Sequence, residues 1–149
     1  MLRKYNLGFE WRGLVLFLAV MVPNFIWFAI PAPNDILRAD SLTPEIDSVA
    51  TVCQIAFVLC LCLLMRVDQN PFCLNRTTKC TVASVLLYYV CWALYYQGVT
   101  GAAVILGLTL FPCIAFLLFA VDRRNTVAVI LIVLFTACHL AHTFMHFIA

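Results

Sequence analysis

Five long apolar stretches, separated by short polar segments, dominate the chain. Each stretch approaches the ~20 residues that a helix needs to cross the hydrocarbon core of a bilayer. The alternation therefore predicts an all-α membrane protein, a bundle of five transmembrane helices that forms a single domain over 1–149. The predicted spans are approximately 13–31, 48–65, 80–97, 102–121 and 126–148.

Composition supports a membrane protein and excludes one broad class of partner. The chain is 65% hydrophobic and 11% charged, whereas soluble domains are typically about 45–50% apolar and about 25% charged. The lipid bilayer is therefore the expected surrounding. The net charge of +2 comes from basic residues scattered over short loops, which is not the clustered pattern of a nucleic-acid binder, so no nucleic-acid partner is expected.

The basic residues also predict an orientation. When the spans are numbered alternately, eight of the nine Lys and Arg residues fall on one side, and only Arg38 falls on the other. By the positive-inside rule, a multi-pass protein of the plasma membrane with a cytoplasmic N-terminus and an external C-terminus is predicted. The eight residues are Arg3, Lys4, Arg12, Arg66, Arg76, Lys79, Arg123 and Arg124.

Hydrogen-bonding side chains are concentrated in the external halves of the predicted spans. Unsatisfied polar groups are costly in hydrocarbon, so these side chains should face one another or water. Pro23 and Pro112, inside the first and fourth spans, predict kinks that would open space between helices. An outward-facing polar cavity is therefore predicted, although a packed aromatic core is the alternative for its two aromatic members. The predicted lining residues are Asn24, Gln54, Tyr88, Trp92 and His139.

The third span has two distinct faces at helical spacing. Its polar and aromatic face is predicted to lie inside the bundle and its aliphatic face to contact lipid. Tyr95 and Tyr96, at the end of the span, are interpreted as residues of the interfacial aromatic belt. The inner face comprises Thr81, Ser84, Tyr88, Trp92 and Tyr95, and the outer face comprises Leu86, Leu87, Val90 and Leu94.

Three histidines in the last span, His139, His142 and His146, form the sharpest group of chemically active residues. At ~100° per residue they fall within an arc of about 60°, an arrangement suited to a transition metal, a haem iron or a proton relay. Because His139 and His146 are about 10 Å apart along the axis, at ~1.5 Å per residue, one ion could use only two of them. The remaining ligands would come from Asp35, Asp40, Asn24 or a tyrosine. The alternative is that neutral histidines simply form hydrogen bonds within the bundle.

The external loop between the first two spans is acidic. Thr43 is predicted to be the N-cap of the second helix, with Pro44 at its first position. Asp35 and Asp40 have no such structural explanation, so they are candidates for attracting a cation.

Several short motifs together resemble those of a known group of proteins. These motifs are Pro23-Asn24, Pro31-Ala32-Pro33-Asn34, Leu87-Tyr88-Tyr89-x-x-Trp92-x-x-Tyr95-Tyr96-x-Gly98 and a histidine in the final span. The chain resembles, over most of its length, small uncharacterised multi-span integral membrane proteins of Gram-positive bacteria. That group often has an Arg before the second aromatic pair, where this chain has Leu94. The resemblance implies five spans and carries no activity with it.

The function predicted from these observations is non-enzymatic: binding, or a transport-related role, for a small ligand or cation that enters from the external side. The alternatives are a metal- or haem-binding membrane protein that uses the last-span histidines, and an accessory or scaffold subunit. Enzymatic activity is disfavoured because no carboxylate lies within a span and no nucleophile has a matched base. Five spans contain no internal repeat, so a complete secondary transporter would require a homodimer or a larger membrane complex.

Overall fold

The computed structural model describes residues 4–68 and 73–148, so Arg3 lies outside the described part of the chain. All five main helices are long and apolar enough to cross a membrane, as predicted. These are α1 (Trp11–Ala29), α2 (Pro44–Leu63), α3 (Arg76–Tyr96), α4 (Ala102–Asp122) and α5 (Thr126–Phe147). A short 3-10 helix, Ile36–Arg38, lies between α1 and α2.

The first three helices begin two to four residues before the predicted membrane spans. α2 begins at Pro44, the first helical position predicted from the sequence, and α3 begins at Arg76, four residues before its predicted span. The apolar run marks only the part of a helix that needs lipid, whereas the helix begins in the preceding polar turn. In α3 that turn starts where Asn75 Oδ1 accepts a hydrogen bond from the Thr78 amide at 2.7 Å.

Two short strands that the helical pattern did not predict join the N-terminal segment to the end of α2. β1 (Tyr5–Leu7) pairs antiparallel with β2 (Leu64–Arg66). The pairing continues into the loop before α1, where the Glu10 amide donates to the Cys62 carbonyl at 2.8 Å. Three-residue strands are too short to show a period of two, so hydropathy alone could not reveal them. The part of the bundle around β1 and β2 is called the β end below.

The helices pack in the order α3, α4, α5, α2, and α1 rests more lightly against α2, α3 and α4. Two glycines permit close approaches. A Cβ at Gly107 would lie 2.4 Å from Cys91 Sγ, between α4 and α3, and a Cβ at Gly13 would lie 2.7 Å from the Leu61 carbonyl oxygen, between α1 and α2. The weaker contacts of α1 leave space beside it at the other end of the bundle. That end, which includes segment 30–43, is called the loop end.

The two faces of α3 are as predicted. Its polar and aromatic face is buried, and most of its aliphatic face is exposed at the outside of the bundle. Leu94 differs, since it is partly buried and packs against the core. The buried set is Thr81, Ser84, Tyr88, Trp92 and Tyr95, and the exposed set is Leu86, Leu87 and Val90.

Polar side chains lock the β end. Glu10 and Arg123 form an ion pair in which both side chains are only 6% exposed, and Arg123 Nε donates to Glu10 Oε2 at 3.1 Å. Asn125 caps α5 by accepting from the Ala128 amide at 3.1 Å. Its Nδ2 donates to the carbonyls of Cys60 and Leu64 at 2.9 Å each. Buried hydrogen bonds and a buried ion pair therefore hold this end of the bundle together. Arg123 contributes to these contacts, in addition to the role in orientation that the sequence predicted for it.

Candidate functional site

A cavity of ≈ 410 Å³ lies in the loop-end half of the bundle, and all five helices contribute to its wall. The five residues that the sequence placed around a cavity all line this one. They come from four helices: Asn24 from α1, Gln54 from α2, Tyr88 and Trp92 from α3, and His139 from α5. Their common depth along the bundle brings them to the same space.

The rest of the wall is mainly apolar. Phenylalanines project from α1, α2, α4 and α5, and Pro112 lies in the wall contributed by α4. Among the described residues that line the cavity, none is Asp, Glu, Lys or Arg. The acidic side chains of the loop are thus outside the lining, and attraction of a cation by Asp35 and Asp40 stays a prediction. The phenylalanines are Phe17, Phe28, Phe57, Phe116, Phe135 and Phe147.

Pro23 shapes the α1 wall, and α3 compensates for its effect. Proline has no amide hydrogen, so the Ala19 carbonyl loses its helical donor four residues later. The Tyr89 hydroxyl donates to that carbonyl at 2.6 Å. The next residue, Asn24, donates from Nδ2 to the Val20 carbonyl at 3.0 Å and to the Tyr88 hydroxyl at 2.8 Å. The irregular part of α1 is therefore bonded to α3 along one side of the cavity.

Trp92 lies at the centre of an aromatic cluster. Its ring centroid is 6.3 Å from that of Trp27, 5.7 Å from that of Tyr95 and 6.3 Å from that of Tyr88. The last two contacts are edge-on, a favourable geometry for aromatic pairs. The sequence left two alternatives for Tyr88 and Trp92, a place in a cavity wall or in a packed aromatic core. Both occur, because the two residues belong to a packed cluster and also line the cavity.

Three polar side chains in the wall make no hydrogen bond to any residue between 4 and 68 or between 73 and 148. Trp92 is 6% exposed, and its Nε1 has no partner at hydrogen-bonding geometry. Gln54 and His139 also line the cavity without a side-chain hydrogen bond, although the His139 ring stacks on Phe135 at 5.0 Å. The Trp92 nitrogen is fully enclosed, whereas Gln54 and His139 are only partly buried, so these two side chains are available to contact a molecule in the cavity.

The histidine stripe divides between the cavity and its rim. His139 and His142 line the cavity, whereas His146 bonds to the loop and to its own helix. His146 Nε2 accepts from the Leu42 amide, and its Nδ1 lies 2.9 Å from the His142 carbonyl oxygen. A ring nitrogen that accepts must be unprotonated, so the proton of neutral His146 is on Nδ1. The His142 and His146 rings stack with centroids 4.0 Å apart.

The carboxylate of Asp47, in the first turn of α2, contacts this stripe. Asp47 Oδ1 lies 2.7 Å from His142 Nδ1. The described part of the chain contains no group of three or more His, Cys, Asp or Glu side chains that could hold a metal ion. Binding of a metal or haem by His139, His142 and His146 stays a prediction.

Asp35 has a structural role, so the interpretation that it lacked one was wrong. Its carboxylate accepts hydrogen bonds from Trp27 Nε1 at 2.9 Å, from the Tyr95 hydroxyl at 2.9 Å and from Arg38 Nε at 2.8 Å. Burial of Asp35 raises its pKa, but these three hydrogen bonds and the charge of Arg38 outweigh that effect and leave the pKa below the ordinary value. Asp40, by contrast, is exposed.

Two other interpretations of the loop end also need correction. Tyr95 does not belong to an interfacial belt, since it is 0% exposed and bonded to Asp35. Thr43 stands at the N-cap of α2 as predicted, but its side chain makes no capping hydrogen bond. The Thr43 hydroxyl instead lies 3.3 Å from His142 Nδ1. Both residues were assigned from local sequence, and contacts with distant helices determine their actual roles.

In comparisons with known proteins, no family model, no curated protein and no solved structure matches the chain. The resemblance to membrane proteins of Gram-positive bacteria therefore stays a prediction.

Proposed function

We propose that this chain is a non-enzymatic, multi-pass protein of the plasma membrane that binds a small, uncharged, lipophilic ligand in the loop-end cavity. The observation that carries the proposal is the cavity wall, which is largely apolar but includes the polar side chains of Asn24, Gln54, Tyr88 and His139. Binding sites for small molecules typically have volumes of about 300–1,000 Å³ and combine apolar walls with a few polar groups. The cavity of ≈ 410 Å³ fits that description.

The wall favours a neutral ligand over the small cation that the sequence left open. A cation moved into this cavity would lose its hydration and meet no carboxylate in the wall. Two partly buried acids at the loop end already have partners, since Asp35 binds Arg38 and Asp47 contacts His142. A neutral lipophilic molecule carries no such desolvation cost.

Orientation follows from the charge pattern. If the β end, with Arg12, Arg66, Arg123 and Arg124, is cytoplasmic, the cavity belongs to the external half of the bundle. The proposed arrangement therefore has a cytoplasmic N-terminus and an external C-terminus.

Photolabelling with benzophenone, a neutral two-ring ketone, tests the proposal in protein reconstituted into nanodiscs. Val20 on α1 lines the cavity and is 5% exposed, whereas Val22 on the same helix is 44% exposed at the outside. We expect saturable labelling of cavity residues, lost in Val20→Trp because the indole fills the cavity, and retained in Val22→Trp. Peptide mass spectrometry locates the label.

The paired variants separate filling of the cavity from damage to the fold. Thermal unfolding in detergent shows whether Val20→Trp remains folded, and Leu108→Trp fills the same cavity from α4. Labelling that does not saturate, or that is equal in the Val20→Trp and Val22→Trp proteins, would overturn the proposal.

A further inference from the structure

A groove of ≈ 410 Å³ lies between α1 and α3 in the β-end half of the bundle, and Phe119 of α4 also contributes to its wall. This α1–α3 groove shares no lining residue with the loop-end cavity, so it is a separate site. Among the described residues that line it, Arg12 alone is charged, and most of the others are apolar. The lining residues are Trp11, Arg12, Val15, Leu16, Ala19, Thr81, Val82, Val85, Leu86 and Phe119.

The groove opens to the side of the bundle and has two unlike ends. Val15 is 53% exposed and Leu86 is 60% exposed, so lipid has access to the groove from outside. Arg12, in the first turn of α1, lies at the β end of the groove. At the inner end, the Tyr89 hydroxyl reaches from α3 to the Ala19 carbonyl of α1 at 2.6 Å. The groove is therefore bridged inside the membrane and open where the charged residues lie.

The length of the groove corresponds to part of one leaflet. Arg12 and Ala19 both line it, and they are ~10 Å apart along the axis of α1 at ~1.5 Å per residue. The hydrocarbon core of a bilayer is ~30 Å thick, so each leaflet contributes about 15 Å. A hydrocarbon chain in the groove would therefore belong to the leaflet at the β end, and its polar headgroup would lie beside Arg12.

The charge beside the groove is positive. The side chain of Arg12 is 31% exposed, and its Nη1 lies 3.9 Å from Glu10 Oε1. The same carboxylate also pairs with the buried Arg123, so these three charged side chains together carry a net charge of +1. The guanidinium carbon of Arg12 lies 5.3 Å from the ring centroid of Trp11. A tryptophan at this depth is typical of the level of lipid headgroups.

Lys79 adds a second positive charge at this end of the groove. It is exposed and stands three positions before Val82, which lines the groove. Residues three apart on a helix share a face, so Lys79 lies on the groove face of α3, one turn nearer to the β end. The described residues of the β end carry a net charge of +4. They are Lys4, Arg12, Arg66, Arg76, Lys79, Arg123 and Arg124 on the basic side, and Glu10, Asp68 and Asp122 on the acidic side.

From the shape, depth and charge of the groove we infer that it binds an anionic phospholipid of the leaflet at the β end. One acyl chain lies between α1 and α3, and the headgroup phosphate contacts Arg12 and Lys79. A guanidinium offers several N–H donors in a geometry that suits phosphate oxygens. The ammonium group of a zwitterionic lipid would meet the same basic side chains, so a headgroup with net negative charge is favoured. The inference does not depend on the ligand proposed for the loop-end cavity.

The test uses phosphatidylglycerol with a photoreactive diazirine in one acyl chain, in nanodiscs that contain the full chain. Peptide mass spectrometry locates the label, and unlabelled phosphatidylglycerol and phosphatidylcholine compete for the site. We expect labelling of groove residues such as Val15 and Val85. Phosphatidylglycerol should displace the label at a concentration at least about fivefold lower than phosphatidylcholine, the effect of about one basic residue near a membrane surface.

Two pairs of variants test the headgroup and the chain separately. Arg12→Gln should remove most of the preference for phosphatidylglycerol, whereas Arg124→Gln removes the same charge from an exposed position of the same end that does not line the groove and should leave it. Val15→Trp fills the groove and should abolish labelling there. Leu18→Trp, at a position of α1 that is 45% exposed and outside the groove, should retain it.

Thermal unfolding in detergent shows which variants remain folded. Lys79→Gln, at an exposed position, should also weaken the preference, and it provides the headgroup test if the loss of Arg12 unfolds the protein. Equal displacement by the two lipids, or equal effects of Arg12→Gln and Arg124→Gln, would overturn the assignment of an anionic headgroup. Groove labelling that persists in folded Val15→Trp protein would overturn the site itself.

Discussion

Asp35 joins three parts of the molecule through one carboxylate. It belongs to the segment between α1 and α2, yet it accepts from Trp27 on α1 and from Tyr95 on α3, and it pairs with Arg38. Arg38 in turn donates to the Trp27 carbonyl at 2.7 Å. The segment is therefore fixed to the bundle near the cavity and is not a loose connection.

Replacement of Asp35 by Asn should destabilise the protein by about 1–3 kcal/mol near neutral pH, because a charge-assisted hydrogen bond and an ion pair are lost. Thermal unfolding in detergent measures the effect. Asp40→Asn, at an exposed position of the same segment, should change stability little. Equal losses for the two variants would contradict the role assigned to Asp35.

The difference between the wild type and Asp35→Asn should depend on pH. Because the folded protein holds the pKa of Asp35 below its ordinary value, the stabilisation is complete above the unfolded pKa, ~3.9. It is lost as the pH falls through the folded pKa. The stability difference should therefore be constant near pH ~7 and shrink below about pH 4.

Single residues were predicted well where depth in the membrane restricts them and poorly where a distant partner decides their role. Asn24, Gln54 and His139 could be grouped because each is polar and equally deep. Nothing local in the sequence indicates that Asp35 pairs with Tyr95, 60 residues away. The same is true of Asp47 and His142.

At the scale of elements, helix starts depend on residues outside the apolar runs. Asn125 both caps α5 and donates two hydrogen bonds to carbonyls at the end of α2. These carbonyls, of Cys60 and Leu64, belong to the point where α2 gives way to β2. One side chain therefore begins one helix and holds the end of another.

Two substitutions at Asn125 should separate these roles. Asn125→Ser keeps a side-chain oxygen that can accept from the Ala128 amide but loses the two N–H donors, whereas Asn125→Ala loses the cap as well. The loss of a cap costs about 1 kcal/mol, and loss of the bonds to the Cys60 and Leu64 carbonyls adds about 1 kcal/mol or more, although the Cys60 carbonyl keeps the Leu64 amide as a donor. We expect Asn125→Ala to have the lower thermal midpoint, with Asn125→Ser between it and the wild type; equal midpoints for Ser and Ala would show that the cap contributes nothing.

At the scale of the whole molecule, the number of helices follows from hydropathy, but their arrangement does not. The strong contact between α2 and α5 joins elements that are far apart in sequence. This contact depends on which side chains of the two helices pack together. The apolar runs of this chain are too similar to one another to predict which helices will be neighbours. The existence of a polar half could be predicted because the membrane makes unpaired polar groups expensive; the volume of the cavity could not.

Orientation in the membrane can be tested with the native thiols. Cys73 is exposed in the segment predicted to be cytoplasmic, and Asp40 is exposed at the loop end. We predict that an impermeant maleimide added to intact cells labels Asp40→Cys and leaves Cys73 unmodified until the membrane is permeabilised. Labelling of Cys73 but not of position 40 in intact cells would reverse the topology. Position 123 is unsuitable for this purpose because Arg123 is buried against Glu10.

The ion pair at the β end imposes an order in time on biosynthesis. Glu10 and Arg123 are separated by 113 positions, so a ribosome that adds ~5–20 residues per second makes Arg123 about 6–23 s after Glu10. Throughout that interval the carboxylate has no access to its final partner, although Arg12, two residues away, lies within 3.9 Å of it. The buried pair with Arg123 can therefore form only after four of the five helices have been synthesised.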